Sequence, residues 1–134
     1  MGYRPSGKKP KLPPFVALTW DLLNSKAYRD LPFAAAKALP FFIGKPKIHF
    51  GNALLYHTDF QLSYGEGERL GFAPATFSKV LKALIANGFL DPIDKGGLRG
   101  NGKSCSKFRI SRRWEKYGTS EFQKIDWEQF QPRA

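Results

Sequence analysis

The apolar residues of this chain follow a helical period most clearly between Pro74 and Ala86. Five of them fall on one side of a helix, at relative positions 0, 3, 4, 7 and 8: Phe77, Val80, Leu81, Leu84 and Ile85. The remaining side chains of the segment are small, polar or basic, and none is acidic. The pattern predicts an amphipathic helix whose apolar stripe lies in the core and whose outward face is available to a partner.

A second helix is predicted to end just before this one. Gly71 can adopt the left-handed conformation that ends a helix, and Pro74 suits the first position of the next. Two helices separated by so short a turn form a helix-turn-helix. Ala73 stands where a polar N-cap is usual, and Gly65 and Gly67 each weaken the earlier helix by about 1 kcal/mol relative to Ala. That helix must therefore gain its stability from packing.

Three further helices are predicted nearer the N-terminus. Thr19 and Ser25 are suited to cap two short ones, and Pro32 suits the first position of a core helix. One side of this core helix is expected to carry Phe33, Ala36, Leu39, Phe42 and Ile43. Pro40 removes a backbone donor and clashes one turn back, so the helix is expected to kink or stop near Leu39.

Short strands are predicted around the two helices of the helix-turn-helix. Residues 58–64 alternate apolar and polar side chains, which indicates a strand leading into a helix, and residues 48–56 suit either a strand or the start of another element. Residues 89–93 and 108–111 are two more strands. Between them, residues 95–107 form a glycine-rich basic hairpin loop. The fold class expected from these elements is α+β.

Composition and charge point to a polyanionic partner. The chain has 134 residues, 42% of them hydrophobic, which is enough for one packed core. Lys and Arg number 22 against 11 Asp and Glu, a net charge of +11, so nucleic acid is the first partner to consider. Cys105 is the only cysteine, which excludes an internal disulfide and fits a reducing cytoplasm. No apolar stretch reaches the roughly 20 residues that span a bilayer, and no membrane partner is expected.

The segment LGFAPATFSKVLKALIANGFLDPIDKGG followed by SKFRISRRW resembles a winged helix-turn-helix domain of small bacterial, phage and mobile-element DNA-binding proteins. With the upstream SKAYRDLPFAAAKAL, the likeness covers roughly residues 15–117. It implies a three-helix core with a C-terminal β-hairpin wing. It also implies that the second helix enters the major groove while the wing touches the neighbouring backbone or minor groove. The DNA-binding residues so implicated are Thr76, Ser78, Lys79 and Lys82 on the helix and Lys95, Arg99, Lys103 and Lys107 on the wing.

Three regions of different composition follow. Residues 1–14 are rich in Pro, Lys and Arg and contain no acidic residue. They are interpreted either as a flexible basic arm that lies along a phosphate backbone or as a solvated leader. Residues 15–117 form the domain itself. Residues 118–134 are aromatic and mildly acidic, and are expected to pack on the domain or on a partner chain. A homodimer would suit a regulator that binds a two-fold operator.

These features predict a sequence-specific protein that binds double-stranded DNA, either a transcriptional regulator or a replication or maintenance factor of a plasmid or phage. No catalytic activity, cofactor, metal or small-molecule ligand is expected. The alternative is a non-enzymatic winged-helix adaptor that binds a protein or a structured RNA. His49, His57 and Asp59 would make a metal site only if a turn brought them together, and their spacing matches no ligand motif. A structural role for both histidines is favoured.

Overall fold

A computed structural model describes residues 13–48, 51–95 and 105–130. Its elements give a mixed α+β fold, with five α-helices and a three-stranded antiparallel sheet in the described chain. The helices are α1 (Trp20–Leu23), α2 (Lys26–Arg29), α3 (Phe33–Gly44), α4 (Tyr64–Arg69) and α5 (Pro74–Ala86). The strands are β1 (Phe60–Ser63), β2 (Leu90–Asp94) and β3 (Cys105–Ile110). Two 3₁₀ helices, η1 (Ala53–His57) and η2 (Arg113–Lys116), complete the set. Within the described ranges, no helix combines the length and apolarity needed to cross a bilayer.

The two short helices begin where the sequence predicts. The side chain of Thr19 accepts a hydrogen bond from the backbone N–H of Leu22, and that of Ser25 accepts one from Tyr28. Each cap satisfies a backbone donor that a helix N-terminus leaves without an intrahelical partner. Both predicted caps are confirmed.

The longest of the N-terminal helices differs from its prediction in two ways. Phe33 is 94% exposed, whereas Ala35, Ala38, Leu39, Phe42 and Ile43 are buried. The predicted side was wrong at Phe33 because successive spacings of three drift around a helix of 3.6 residues per turn. Over the nine positions from Phe33 to Phe42 the drift is about half a turn. Pro40 does not stop α3, which runs to Gly44 because the buried residues beyond the proline continue to pack on the core.

The sheet has the order β1-β3-β2, with β3 antiparallel to both neighbours. Phe108 lies opposite Phe60 of β1 and opposite Pro92 of β2. Pro92 lies in an edge strand beside a register shift between Pro92 and Asp94, and these are the places in a sheet that tolerate a residue without a backbone donor. The predicted hairpin loop was too long: β3 begins at Cys105, so residues 105–107 belong to the strand. Local glycine content suggested a loop, but pairing with β1 extends the strand.

The turn between α4 and α5 is confirmed. Gly71 has φ of 97°, in the left-handed region, and Pro74 begins α5. Ala73 makes no side-chain cap, as its sequence implies. At the start of α4, Ser63 and Glu66 form a reciprocal capping box, a signal that the sequence analysis missed. Lys45 from the end of α3 pairs with the carboxylate of this Glu66 and joins the two helices.

Gly67 has a role beyond weakening its helix. A Cβ atom at this position would lie 2.6 Å from Cγ of Phe77, so the absence of a side chain lets α4 approach α5. Phe77 itself is 1% exposed and its ring centroid lies 6.0 Å from that of Phe42. The glycine that lowers local helix propensity is therefore required for packing between helices.

One core joins the helices to the sheet. All five residues of the predicted α5 stripe are buried, and so are two residues of the strand segments, Phe89 and Phe108. α3 packs against α5, and α5 against β2. Trp114 of η2 closes one end by stacking on Phe89, with ring centroids 6.0 Å apart. The apolar stripe of α5 is thus held from several sides, which fixes the direction of its outward face.

Candidate nucleic-acid interface

The outward face of α5 is open, small and basic. Thr76, Lys79 and Lys82 are exposed, Ser78 is half-buried, and no acid lies within the helix. Lys79 has no acidic partner among the described residues. An exposed lysine without such a partner can neutralise a phosphate or reach a base edge.

Tyr64 extends this face at the start of α4. Its hydroxyl lies 2.8 Å from Oγ of Ser78, and its ring packs edge-on against Phe77 with centroids 5.7 Å apart. The side chain is 40% exposed. Ser78, one of the predicted DNA-binding residues, is therefore hydrogen-bonded to the hydroxyl of Tyr64. Sequence reasoning missed Tyr64 because the two residues lie 14 positions apart and meet only across the helix-turn-helix.

Lys82 is exposed but has an ion-pair partner. Its Nζ lies 3.2 Å from Oε2 of Glu128, and the two side chains are 50% and 67% exposed. Glu128 belongs to the segment after η2, which returns across the C-terminal half of α5. The sequence places this acid near the end of the chain without indicating which cation it meets.

The predicted wing residues have different surroundings. Lys95 Nζ donates a hydrogen bond of 2.7 Å to the carbonyl of Trp127 and lies 4.7 Å from the centroid of its ring. Lys107 is exposed on β3, opposite Gln61 in the register with β1. Arg99 and Lys103 lie outside the described residues.

Three arginines that follow the predicted wing residues in the chain make contacts within the protein. Arg109 pairs with Asp59, and Arg112 pairs with Glu115. Arg113 is the most enclosed, with its side chain only 10% exposed. Each of the three has a carboxylate partner within the chain, whereas Lys79 has none among the described residues.

Arg113 joins four parts of the chain. Its guanidinium donates to Oδ1 of Asp91 at 2.6 Å and to the carbonyls of Ile85, Leu90 and Gln123 at 2.9, 2.8 and 2.8 Å. A cation is favourable beside the last carbonyls of α5 because of the helix dipole. Nothing in the sequence next to Arg113 signals these contacts, because its partners lie in other parts of the chain.

A second polar contact fixes α2 to the end of η2. Hydrogen bonds from Lys26 and from the hydroxyl of Tyr117 hold the pKa of the Asp30 carboxyl below its ordinary value. Desolvation raises the pKa of Tyr117, and its bond to Asp30 adds to this. Elsewhere, burial raises the pKa of Tyr56, although the nearby Arg112 guanidinium opposes the shift.

The described residues offer no cluster of metal ligands. No group of three or more His, Cys, Asp or Glu with metal-binding geometry occurs within the described ranges. Asp59 is engaged by Arg109, which leaves His57 on η1 without that carboxylate as a fellow ligand. His49 lies outside the described residues, so the three-residue hypothesis is tested only for His57 and Asp59.

In comparisons with known proteins, no protein-family model, no curated protein and no solved structure matches the chain.

Proposed function

We propose that this protein is a sequence-specific DNA-binding protein of the winged-helix type, acting as a transcriptional regulator or as a replication or maintenance factor. The observation that carries the proposal is the outward face of α5, which is small, basic and free of acids. It projects from a helix-turn-helix whose opposite face is buried. A helix with such a face fits the major groove, about 12 Å wide, because small side chains allow close approach while lysines reach guanine acceptors.

The order of elements supports the same proposal. A helix, a strand, the helix-turn-helix and two further strands lie in sequence, and the three strands form one antiparallel sheet. The connection from β2 to β3 would be the wing. In this arrangement Lys79 and Lys82 contact bases, while Lys107, Arg99 and Lys103 contact phosphates.

The proposal is tested by fluorescence anisotropy with labelled random-sequence duplex DNA. Wild-type protein should bind at low salt. The logarithm of its association constant should fall linearly with the logarithm of the salt concentration, with a slope of about −0.9 for each phosphate neutralised. Lys79→Ala should weaken binding to a selected site by about 1–3 kcal/mol and change the preferred sequence. The matched control is Lys116→Ala, a lysine of η2 that pairs with Glu121 at 3.2 Å.

Three outcomes would count against this proposal. Undetectable binding at low salt would remove its electrostatic basis. Equal losses for Lys79→Ala and Lys116→Ala would show that binding follows net charge and not the face of α5. If Arg99→Ala or Lys103→Ala alters the DNA sequence that the protein selects from a random pool, and Lys79→Ala does not, base recognition belongs to the wing.

The alternative of an adaptor is favoured by a specific observation on α3. Phe33 is 94% exposed and Phe41, eight positions later, is 50% exposed, so this helix shows an apolar side to solvent. Large exposed apolar side chains are typical of protein interaction sites. Tighter binding to a structured RNA than to duplex DNA at equal salt, or no binding to either, would favour the adaptor.

A further inference from the structure

The chain after η2 returns to the face of α5 that carries the proposed base contacts. We call residues 123–130 the strap. Glu128 of the strap pairs with Lys82 at 3.2 Å, and the strap lies opposite Ala86 and Asn87 at the end of the helix. The acid that pairs with this basic face is therefore supplied by the strap.

Trp127 anchors the strap to the sheet. Its ring centroid lies 5.4 Å from that of Phe108, a core residue with no exposed surface. Lys95 holds the same residue through its carbonyl and its ring. The anchor thus also occupies Lys95, which the family resemblance implicates in DNA contact.

Between its anchor and η2 the strap is held mainly by the hydrogen bond from Arg113 to the carbonyl of Gln123 and by the partly buried Ile125. A cleft of about 830 Å³ separates it from the C-terminal half of α5, with Lys82, Ala86, Tyr117 and Phe122 among its walls. Most strap side chains are exposed, including Lys124, Asp126 and Glu128. A segment that spans a cleft lacks the close contacts that make burial stabilising, so it can be displaced at low cost.

The strap and a DNA groove make incompatible demands on α5. A helix with its side chains is about 10–12 Å across, which already fills a major groove about 12 Å wide. No room is left for a second segment on the side that faces the bases. Lys82 also cannot hold both Glu128 and a phosphate or base at full strength.

We propose that the strap is an intramolecular competitor for the DNA-binding face, so that α5 enters a groove only when the strap has been released. This inference rests on the proposed function and names a regulation of the same site. Release frees Lys82 and Lys95 together, because Glu128 and Trp127 lie next to each other in the chain.

The first test is Glu128→Gln, with Glu121→Gln as the matched control. Both changes remove one exposed carboxylate that pairs with a lysine, but Glu121 pairs with Lys116 of η2 and not with α5. Because an exposed ion pair contributes little, we expect Glu128→Gln to tighten binding to duplex DNA by about three-fold. Glu121→Gln should change it by less than half as much.

A double-mutant cycle isolates the competition. In wild type Lys82 is partly occupied by Glu128, so Lys82→Ala should weaken DNA binding less than it does in the Glu128→Gln background. Independent effects of the two substitutions would overturn the proposal, as would equal affinities of Glu128→Gln and Glu121→Gln. Both readouts use the full chain and substitutions at exposed positions.

Deletion of residues 123–134 gives the larger effect. It removes Lys124 and Arg133 together with Asp126 and Glu128, so the formal net charge is unchanged. If the strap is closed about nine-tenths of the time, only about a tenth of the molecules can bind DNA, and the apparent affinity for DNA is about tenfold lower. Removal of the strap should therefore raise the affinity about tenfold. A thermal denaturation scan verifies folding, since Phe108 loses a neighbour. If the deletion variant is unfolded, the Glu128→Gln cycle decides.

The two proposals fail separately. If wild type binds duplex DNA and both Glu128→Gln and a folded deletion variant bind with the wild-type affinity, the strap is not a competitor, although the proposed function stands. If neither wild type nor the strap variants bind duplex DNA at low salt, the proposed function itself is contradicted.

Discussion

Each cation of α5 and each of those that follow β2 adds one unit to the net charge, but the two groups differ in what they touch. Lys79 is exposed and meets no acid within the described ranges. Arg113 is 10% exposed and bonds to Asp91 and to three backbone carbonyls. One is available to a partner, and the other holds the end of α5, β2 and the strap in place.

The difference shows that a count of basic residues overstates the charge available for binding. Arg109, Arg112 and Arg113 all have carboxylate partners within the chain. Their positive charge is largely compensated at short range, whereas that of Lys79 extends into solvent. The case for a nucleic-acid partner therefore depends on where the unpaired cations lie, and less on the total of +11.

The largest effect expected from a single substitution is on the inner face of α5. Leu81 is 4% exposed and its neighbour Lys82 points outward. Leu81→Ala should lower the free energy of unfolding by about 2–5 kcal/mol, because it removes buried methyl groups and leaves a cavity. Lys82→Ala should change it by less than about 0.5 kcal/mol. Urea denaturation of the two variants measures the contrast, and similar losses would mean that α5 is not amphipathic in the folded protein.

Next in size is the loss of the enclosed arginine. Arg113→Ala should destabilise the protein by about 3 kcal/mol, because it leaves Asp91 and several carbonyls without their donor. Lys79→Ala should leave the denaturation midpoint unchanged while weakening DNA binding. If the Arg113→Ala variant is as stable as wild type and binds DNA more weakly, Arg113 serves binding and not stability, contrary to this prediction.

Gly67→Ala tests how closely α4 packs against α5, the helix whose outward face carries Lys79. Alanine adds helix propensity of about 1 kcal/mol, but its Cβ would lie 2.6 Å from a ring carbon of Phe77. Overpacking a core costs about 1–3 kcal/mol, so we expect a net loss of stability. Gly65→Ala is the control, since its Cβ would meet no atom closer than 3.7 Å, and it should be neutral or stabilising. Thermal denaturation of both variants distinguishes packing from propensity.

The smallest effect concerns a pH-dependent contact between α2 and η2. The pKa of Asp30 is lowered in the folded protein by Lys26 first and by Tyr117 second, so folding favours the charged carboxylate. Its stabilisation is present above the unfolded pKa of about 3.9 and is lost as the pH falls through the lower folded value. Asp30→Asn should therefore lower the thermal denaturation midpoint slightly at pH 7. At a pH below the folded pKa of Asp30 it should not change the midpoint. An effect of equal size at both pH values would assign the contact to packing.

Much of the helical structure was predictable because its signals are local. The stripe of α5, the caps at Thr19 and Ser25 and the turn at Gly71 depend on residues within a few positions of one another. Such spacing determines which backbone donors are satisfied and which side of a helix is apolar before any long-range contact forms. The outward face of α5, and with it the candidate site, follows from the same stripe.

The tertiary structure alone decided how distant segments meet. It brought Glu128 to Lys82, Arg113 to Asp91 and Tyr64 to Ser78, and it paired β3 with β1 and not only with β2. Pro40 shows the same limit within one helix, because burial of the residues around it overrode the break that a proline favours locally. Contacts between residues tens of positions apart depend on how the whole chain buries its apolar surface, which no local spacing encodes.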